Sequence, residues 1–128
     1  MYSDQPKDNC RLNLTEAEEL AHTLMQRHRS LADWQFTFDA APTRLGLCTY
    51  ATRTISLSGH FAGAATEPEV IQALLHEIAH ALVGPYYTPK YGVPTKTGHS
   101  PVWKRMARSI GYTGGREAAN PYAGAAQR

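Results

Sequence analysis

His76 and His80 stand four residues apart, with a glutamate beside the first, in the run His76-Glu77-Ile78-Ala79-His80. On a helix, residues i and i+4 lie one turn apart on the same face, with Cβ atoms about 5–6 Å from each other. Two imidazoles placed in this way can converge on one divalent ion at about 2.0–2.1 Å, the length of a zinc–histidine bond. Glu77 points about 100° away around the same helix. That offset keeps its carboxylate out of the metal's own ligand set but near a metal-bound water, whose proton it can accept when the water attacks a carbonyl. With only three fixed positions, the pattern also fits a plain helix carrying two half-exposed histidines and a solvated glutamate.

A third ligand separates the two readings, because a catalytic zinc takes three protein ligands and leaves the fourth position to water. A metzincin pattern needs glycine three residues after the second histidine and histidine six after it, where this chain has Val83 and Tyr86. A thermolysin-like pattern needs a glutamate from a later helix, and the only downstream carboxylate is Glu117. His99 is the only histidine after His80, and it directly precedes an expected helix that can pack on the motif helix through Trp103 and Met106. The expected ligand set is therefore His76, His80 and His99, holding one Zn2+ per chain, with Glu77 as catalytic base. His22 and His28 have no partner at ligand spacing in this reading, and His60 receives no role. Tyr86, Tyr87 and Tyr91 are candidates to donate a hydrogen bond to a developing oxyanion, and equally fit as packing or loop tyrosines.

The elements that must position these residues follow from caps and periodicity. Leu14 precedes Thr15-Glu16-Ala17-Glu18, which has the form of a capping box with Thr15 as N-cap, and the helical spacing of Leu20, Ala21, Leu24, Met25 and His28 carries a first helix to about Ser30. Trp34-Gln35-Phe36-Thr37-Phe38 alternates apolar and polar residues with the period of a half-buried strand. Arg44 to Tyr50 and Thr52 to Leu57 are rich in Thr, Ile, Leu and Tyr and are broken near Ala51, which predicts an antiparallel pair. Thr66-Glu67-Pro68-Glu69 combines an N-cap residue, acidic side chains at the positive end of the helix dipole and a first-turn proline. The stripe of Val70, Ile71, Leu74, Leu75, Ile78 and Leu82 then predicts a helix buried on one side and stopped by Gly84-Pro85. Pro85 to Gly98 shows no periodicity and reads as a crossing loop. Ser100-Pro101 restarts a helix with Val102, Trp103, Met106 and Ile110 on its apolar face and Gly111 at its end.

With 128 residues, 42% of them apolar and 19% charged, the chain has the makeup of one globular domain with one core. No apolar run approaches the roughly 20 residues that span a bilayer, and Met1 to Asn9 lack the apolar stretch of a secretory signal, so no membrane partner and a cytoplasmic location are expected. The two cysteines, Cys10 and Cys48, are too few for a metal ribbon and are expected to be inert thiols. The net charge of +2 is unevenly spread: residues 1–84 hold six Lys/Arg against ten Asp/Glu, and residues 85–128 hold seven against one. A basic second half can mark a surface for phosphates or a solvated face.

Taken together, these residues resemble the SprT-like zinc metallopeptidases, a family that includes the Spartan proteases, which degrade proteins crosslinked to DNA. The matching segments are His76-Glu77-Ile78-Ala79-His80 and Gly98-His99-Ser100-Pro101-Val102-Trp103, with Leu45-Gly46-Leu47-Cys48-Thr49-Tyr50 and Ile55-Ser56-Leu57-Ser58 similar to the strand pair before the active helix. The resemblance covers roughly residues 15 to 111. It implies a small α+β, minimal zincin-like fold: an N-terminal helix, a sheet of three or slightly more strands, the H-E-x-x-H helix and a C-terminal helix, with zinc between the last two. It also implies cleavage of protein or peptide substrates. Unlike many bacterial relatives, the sequence carries no C-terminal pair of Cys-x-x-Cys motifs. The expected organisation is an N-terminal arm (1–13), a peptidase domain (14–111) and a flexible C-terminal tail (112–128).

The leading functional reading is a zinc metalloendopeptidase acting on proteins, near or on DNA. The reading from a different class is a zinc-stabilised DNA- or protein-binding module without useful catalysis. The motif glutamate speaks against the second, because a purely structural zinc is closed by four protein ligands and needs no base. Attack on a carbonyl other than a peptide's is compatible with the same machinery.

Overall fold

Leu12 enters the core at 5% exposed, and the first helix starts just after it. This computed structural model describes residues 11–114. Helix α1 spans Leu14–Gln26 with Asn13 as N-cap: the Asn13 side chain accepts from the Glu16 N–H, and the Glu16 carboxylate accepts from the Asn13 N–H. The sequence pattern alone predicts this cap at Thr15 and the helix end near Ser30. Both Asn13-x-x-Glu16 and Thr15-x-x-Glu18 fit the capping pattern. The earlier start prevails because it buries Leu12 before the cap, where its N–H donates to the Ala65 carbonyl at 3.4 Å, and leaves Leu14 44% exposed. A short 3-10 turn, Arg29–Leu31, follows the helix. His22 is exposed and pairs with Glu18 one turn earlier at 3.6 Å, a partner the sequence reading overlooked.

Three strands follow: β1 (Gln35–Asp39), β2 (Gly46–Thr49) and β3 (Thr54–Ser58), in the order β1-β3-β2. The β2–β3 pair is antiparallel, as its composition predicts, whereas β1 runs parallel to β3. Central β3 is covered on both faces, with Ile55 and Leu57 fully buried on one register and Ser56 and Ser58 on the other. Its two hydroxyls are satisfied, since Ser56 donates to the Asp39 carboxylate at 2.7 Å and Ser58 to the Ala41 carbonyl at 2.8 Å. Strand β2 lies at the sheet edge and packs against the long helix described next.

A one-turn helix, α2 (Gly59–Ala62), leads into α3 (Glu67–Val83). Thr66 caps α3 in a reciprocal box with Glu69, and Glu67 and Glu69 lie in its first turn, where carboxylates are favoured by the helix dipole. Val70, Leu74 and Ile78 on α3 are fully buried in one core with α1 and the sheet. A second, smaller core contains Leu75 and Ala79 of α3, Trp103 and Ala107 of α4 (Pro101–Ser109), and Tyr112. Between α3 and α4, where a loop without periodicity was expected, β4 (Tyr86–Tyr87) and β5 (Thr95–Lys96) form a small antiparallel pair. Among the described residues the fold is α+β, with four helices and a three-stranded sheet beside this two-stranded one. No described helix is long and apolar enough to cross a membrane.

Candidate metal centre

Helix α3 carries His76, Glu77 and His80 because its apolar stripe is wide enough to sink that stretch into the fold. His76 is 3% exposed, Glu77 7%, and His80 half-buried. His99 arrives from the other side of the hairpin, immediately before the Ser100 cap of α4. Gly98 bends the chain at φ +46, a left-handed conformation that side chains disfavour, and so turns His99 back towards α3.

The three imidazoles meet through the same ring atom. His99 Nε2 lies 3.0 Å from His76 Nε2 and 3.2 Å from His80 Nε2. Burial, with the neighbouring histidines adding to it, pushes the pKa of His76 down from 6.5 to about 3. Burial and His99 push that of His80 down to about 4. Both rings are therefore neutral at physiological pH, which is the form that ligates a metal. Two nitrogens bound to one tetrahedral zinc at its usual bond length sit about 3.3–3.4 Å apart. The observed separations fall within a few tenths of an ångström of that, so the donors present fit the ion. Among the described residues, His76, His80 and His99 are the one group of three or more His, Cys, Asp or Glu side chains that could hold a metal ion.

The rings open into a cleft of about 450 Å³. One wall is the edge strand and its approach, Arg44 to Cys48 with Tyr50; the other includes Pro85, Tyr86, Lys96 and Gly98. Among the described residues, Glu77 is the only carboxylate lining it. Burial, with the Glu77 carboxylate adding to it, pushes the Cys48 thiol up to about 12, so Cys48 is a protonated thiol rather than a ligand thiolate. Burial, Cys48 and Glu77 likewise raise the pKa of Tyr50. The Tyr50 hydroxyl donates to the His80 carbonyl at 3.0 Å and so ties the edge strand to the site helix. Of the three tyrosines singled out from sequence, Tyr86 borders the cleft; Tyr87 and Tyr91 are not among its lining residues, and Tyr91 is 90% exposed. His60 lies half-buried on α2, away from the cluster. Cys10 and Glu117 lie outside the described residues, as does most of the expected tail.

Two aromatic residues contribute more than the sequence reading gave them. Trp103 is 1% exposed and floors the site, its ring stacked on His80 and in contact with His76 and His99 at centroid distances of 5.2, 4.7 and 4.6 Å. Its indole N–H donates to the His76 carbonyl at 3.3 Å. The Gly-His-x-x-x-Trp spacing held that signal, since it places the indole one turn beyond His99 on the face turned to α3. Tyr112, assigned from sequence to the tail, is 3% exposed with its hydroxyl 3.4 Å from His76 Nδ1. The available signal was an aromatic residue directly after the helix-ending Gly111.

A family model described as SprT-like matches residues 14–122. No curated protein and no solved structure matches the chain.

Proposed function

Since this chain belongs to the SprT-like family, we propose that it is a cytoplasmic zinc metalloendopeptidase cleaving protein substrates, with His76, His80 and His99 holding one zinc and Glu77 as general base. The observation that carries this reading is the convergence of three ring nitrogens, 3.0 and 3.2 Å apart, in a cleft where Glu77 is the sole lining carboxylate among the described residues. An all-imidazole set suits zinc. When bound at three such nitrogens, zinc supplies Lewis acidity towards a carbonyl and towards water. Glu77 takes the proton that the attacking water loses and returns it to the leaving amine. Burial of Glu77 against the edge strand fixes where its carboxylate can reach, and the protonated Cys48 adds no second negative charge beside it.

The test is metal analysis of the purified chain and of His99→Ala, followed by incubation of each with an unfolded protein, with and without DNA. One zinc per native chain, less in His99→Ala, and cleavage only by the native form are expected. Equal zinc in both forms would remove His99 from the ligand set.

One observation favours a second reading, a zinc-stabilised module that binds DNA without useful catalysis. Lys104, Arg105 and Arg108 are all exposed on α4, giving the basic second half of the chain a common surface element. The cluster of three ligands, with no fourth His, Cys, Asp or Glu joined to it among the described residues, favours the catalytic reading.

A further inference from the structure

For His76 to direct the Nε2 lone pair towards the other two imidazoles, its proton must reside on Nδ1. The group facing Nδ1 then has to accept a hydrogen bond. That group is the phenol of Tyr112, 3.4 Å away, its ring set edge-on to the imidazole at 78°. Tyr112 also packs on Trp103, with ring centroids 5.7 Å apart, and is not among the residues lining the cleft.

Tyr112 lies beyond the end of α4, and something must hold that segment down. Gln72, one helical turn before His76 on α3, grips it from both ends of its side-chain amide. Its Nε2 donates to the Gly111 carbonyl at 3.4 Å, and its Oε1 accepts from the Thr113 N–H at 2.8 Å, the Thr113 hydroxyl at 3.3 Å and the Gly114 N–H at 3.3 Å. At Gly114 the backbone passes so close to the phenol that a Cβ there would sit 2.7 Å from the Tyr112 hydroxyl. The strap therefore folds over its own tyrosine.

We infer that Tyr112 is a positioning residue for the metal centre, fixing the tautomer and orientation of His76, and that Gln72 clips the 111–114 strap in place to serve it. This inference rests on the proposal that His76, His80 and His99 bind zinc. Tyr112→Phe keeps the ring and removes only the acceptor. Partners that back a metal-bound histidine typically change metal affinity by about 10–100-fold when removed. The expected result for Tyr112→Phe is thus a loss of zinc affinity of about that size, measured by competition with a chromophoric chelator. An altered visible absorption of the cobalt(II)-substituted protein should accompany it. Gln72→Leu leaves the phenol intact but frees the strap, and should weaken zinc binding in the same direction. Native zinc affinity and a native cobalt spectrum in Tyr112→Phe overturn the inference while leaving the zinc site standing. Should that variant not fold, native affinity in Gln72→Leu overturns it instead. A native chain that binds no zinc removes the metal reading itself and the inference with it.

Discussion

Gly46 on the edge strand lies against Glu77 so closely that a Cβ at that position would sit 3.0 Å from Glu77 Cγ, and equally close to a Leu57 methyl and to the Ser56 carbonyl oxygen. The Ser56 oxygen is backbone of the neighbouring strand and cannot step aside. Gly46→Ala is therefore expected to push either the strand or the Glu77 side chain, at a cost of about 1–3 kcal/mol for overpacking. Urea denaturation measures the cost. Peptidase activity should fall further than stability accounts for, because the displaced group is the proposed base.

Glu77→Gln separates metal binding from proton transfer. The amide fills the same space and cannot accept the proton, so zinc content should match the native chain. Cleavage of an unfolded protein should drop by about a hundred- to ten-thousand-fold, the usual contribution of a general base. An unchanged rate would eliminate the mechanism.

Acid should destabilise the metal-free chain through His76 and His80. Their folded-state pKa values, about 3 and about 4, lie below the ordinary 6.5 of the unfolded chain. Above about pH 6.5 both states leave these rings neutral and the stability they permit is fully present. As pH falls from there towards the folded values, the unfolded chain takes up protons that the folded one refuses, and stability drops. Urea midpoints of the chelator-treated protein should decline over that window, and substitution of His76 and His80 by Gln should flatten the decline.

The binding-module reading makes a claim about salt. If the α4 face contacts phosphates, neutralising Lys104, Arg105 and Arg108 should lower the slope of log affinity for single-stranded DNA against log salt by about 2, at roughly 0.7 per contact. Equal, weak binding by native and neutralised chains would retire DNA as a partner of this surface.

Local physics made much of the fold readable beforehand. The Thr66 cap, the first-turn proline and the apolar stripe of α3 agree with one another, and the alternation of Trp34 to Phe38 matches a strand with Phe36 buried and Gln35 and Thr37 exposed. What escaped the sequence reading is of two kinds. Two capping patterns overlapped at Asn13 and Thr15, and only the burial of Leu12 decides between them. The parallel pairing of β1 with β3, the two-residue strands β4 and β5, and the return of Tyr112 to His76 depend on contacts distant in sequence or on segments too short to show a period. The histidine cluster was legible because two members share a helix turn and the third had no competitor downstream of His80. The residues around it were not, since Tyr50, Trp103 and Tyr112 look like ordinary core aromatics until their polar atoms are seen to reach His80 and His76.

The excursion between His80 and His99 is pinched at its base, where the Thr97 N–H donates to the Pro85 carbonyl at 2.9 Å and Tyr86 pairs with Lys96. The spacing of the two ends is thus set at the neck and not by the length of the stalk above it. Residues 88–94 can lengthen, shorten or change chemistry while the imidazoles keep their mutual geometry. Under the proposed peptidase function, such a design uncouples the reach and grip of the protein's outer arm from its reactive centre, so that substrate preference can drift without retuning the metal site.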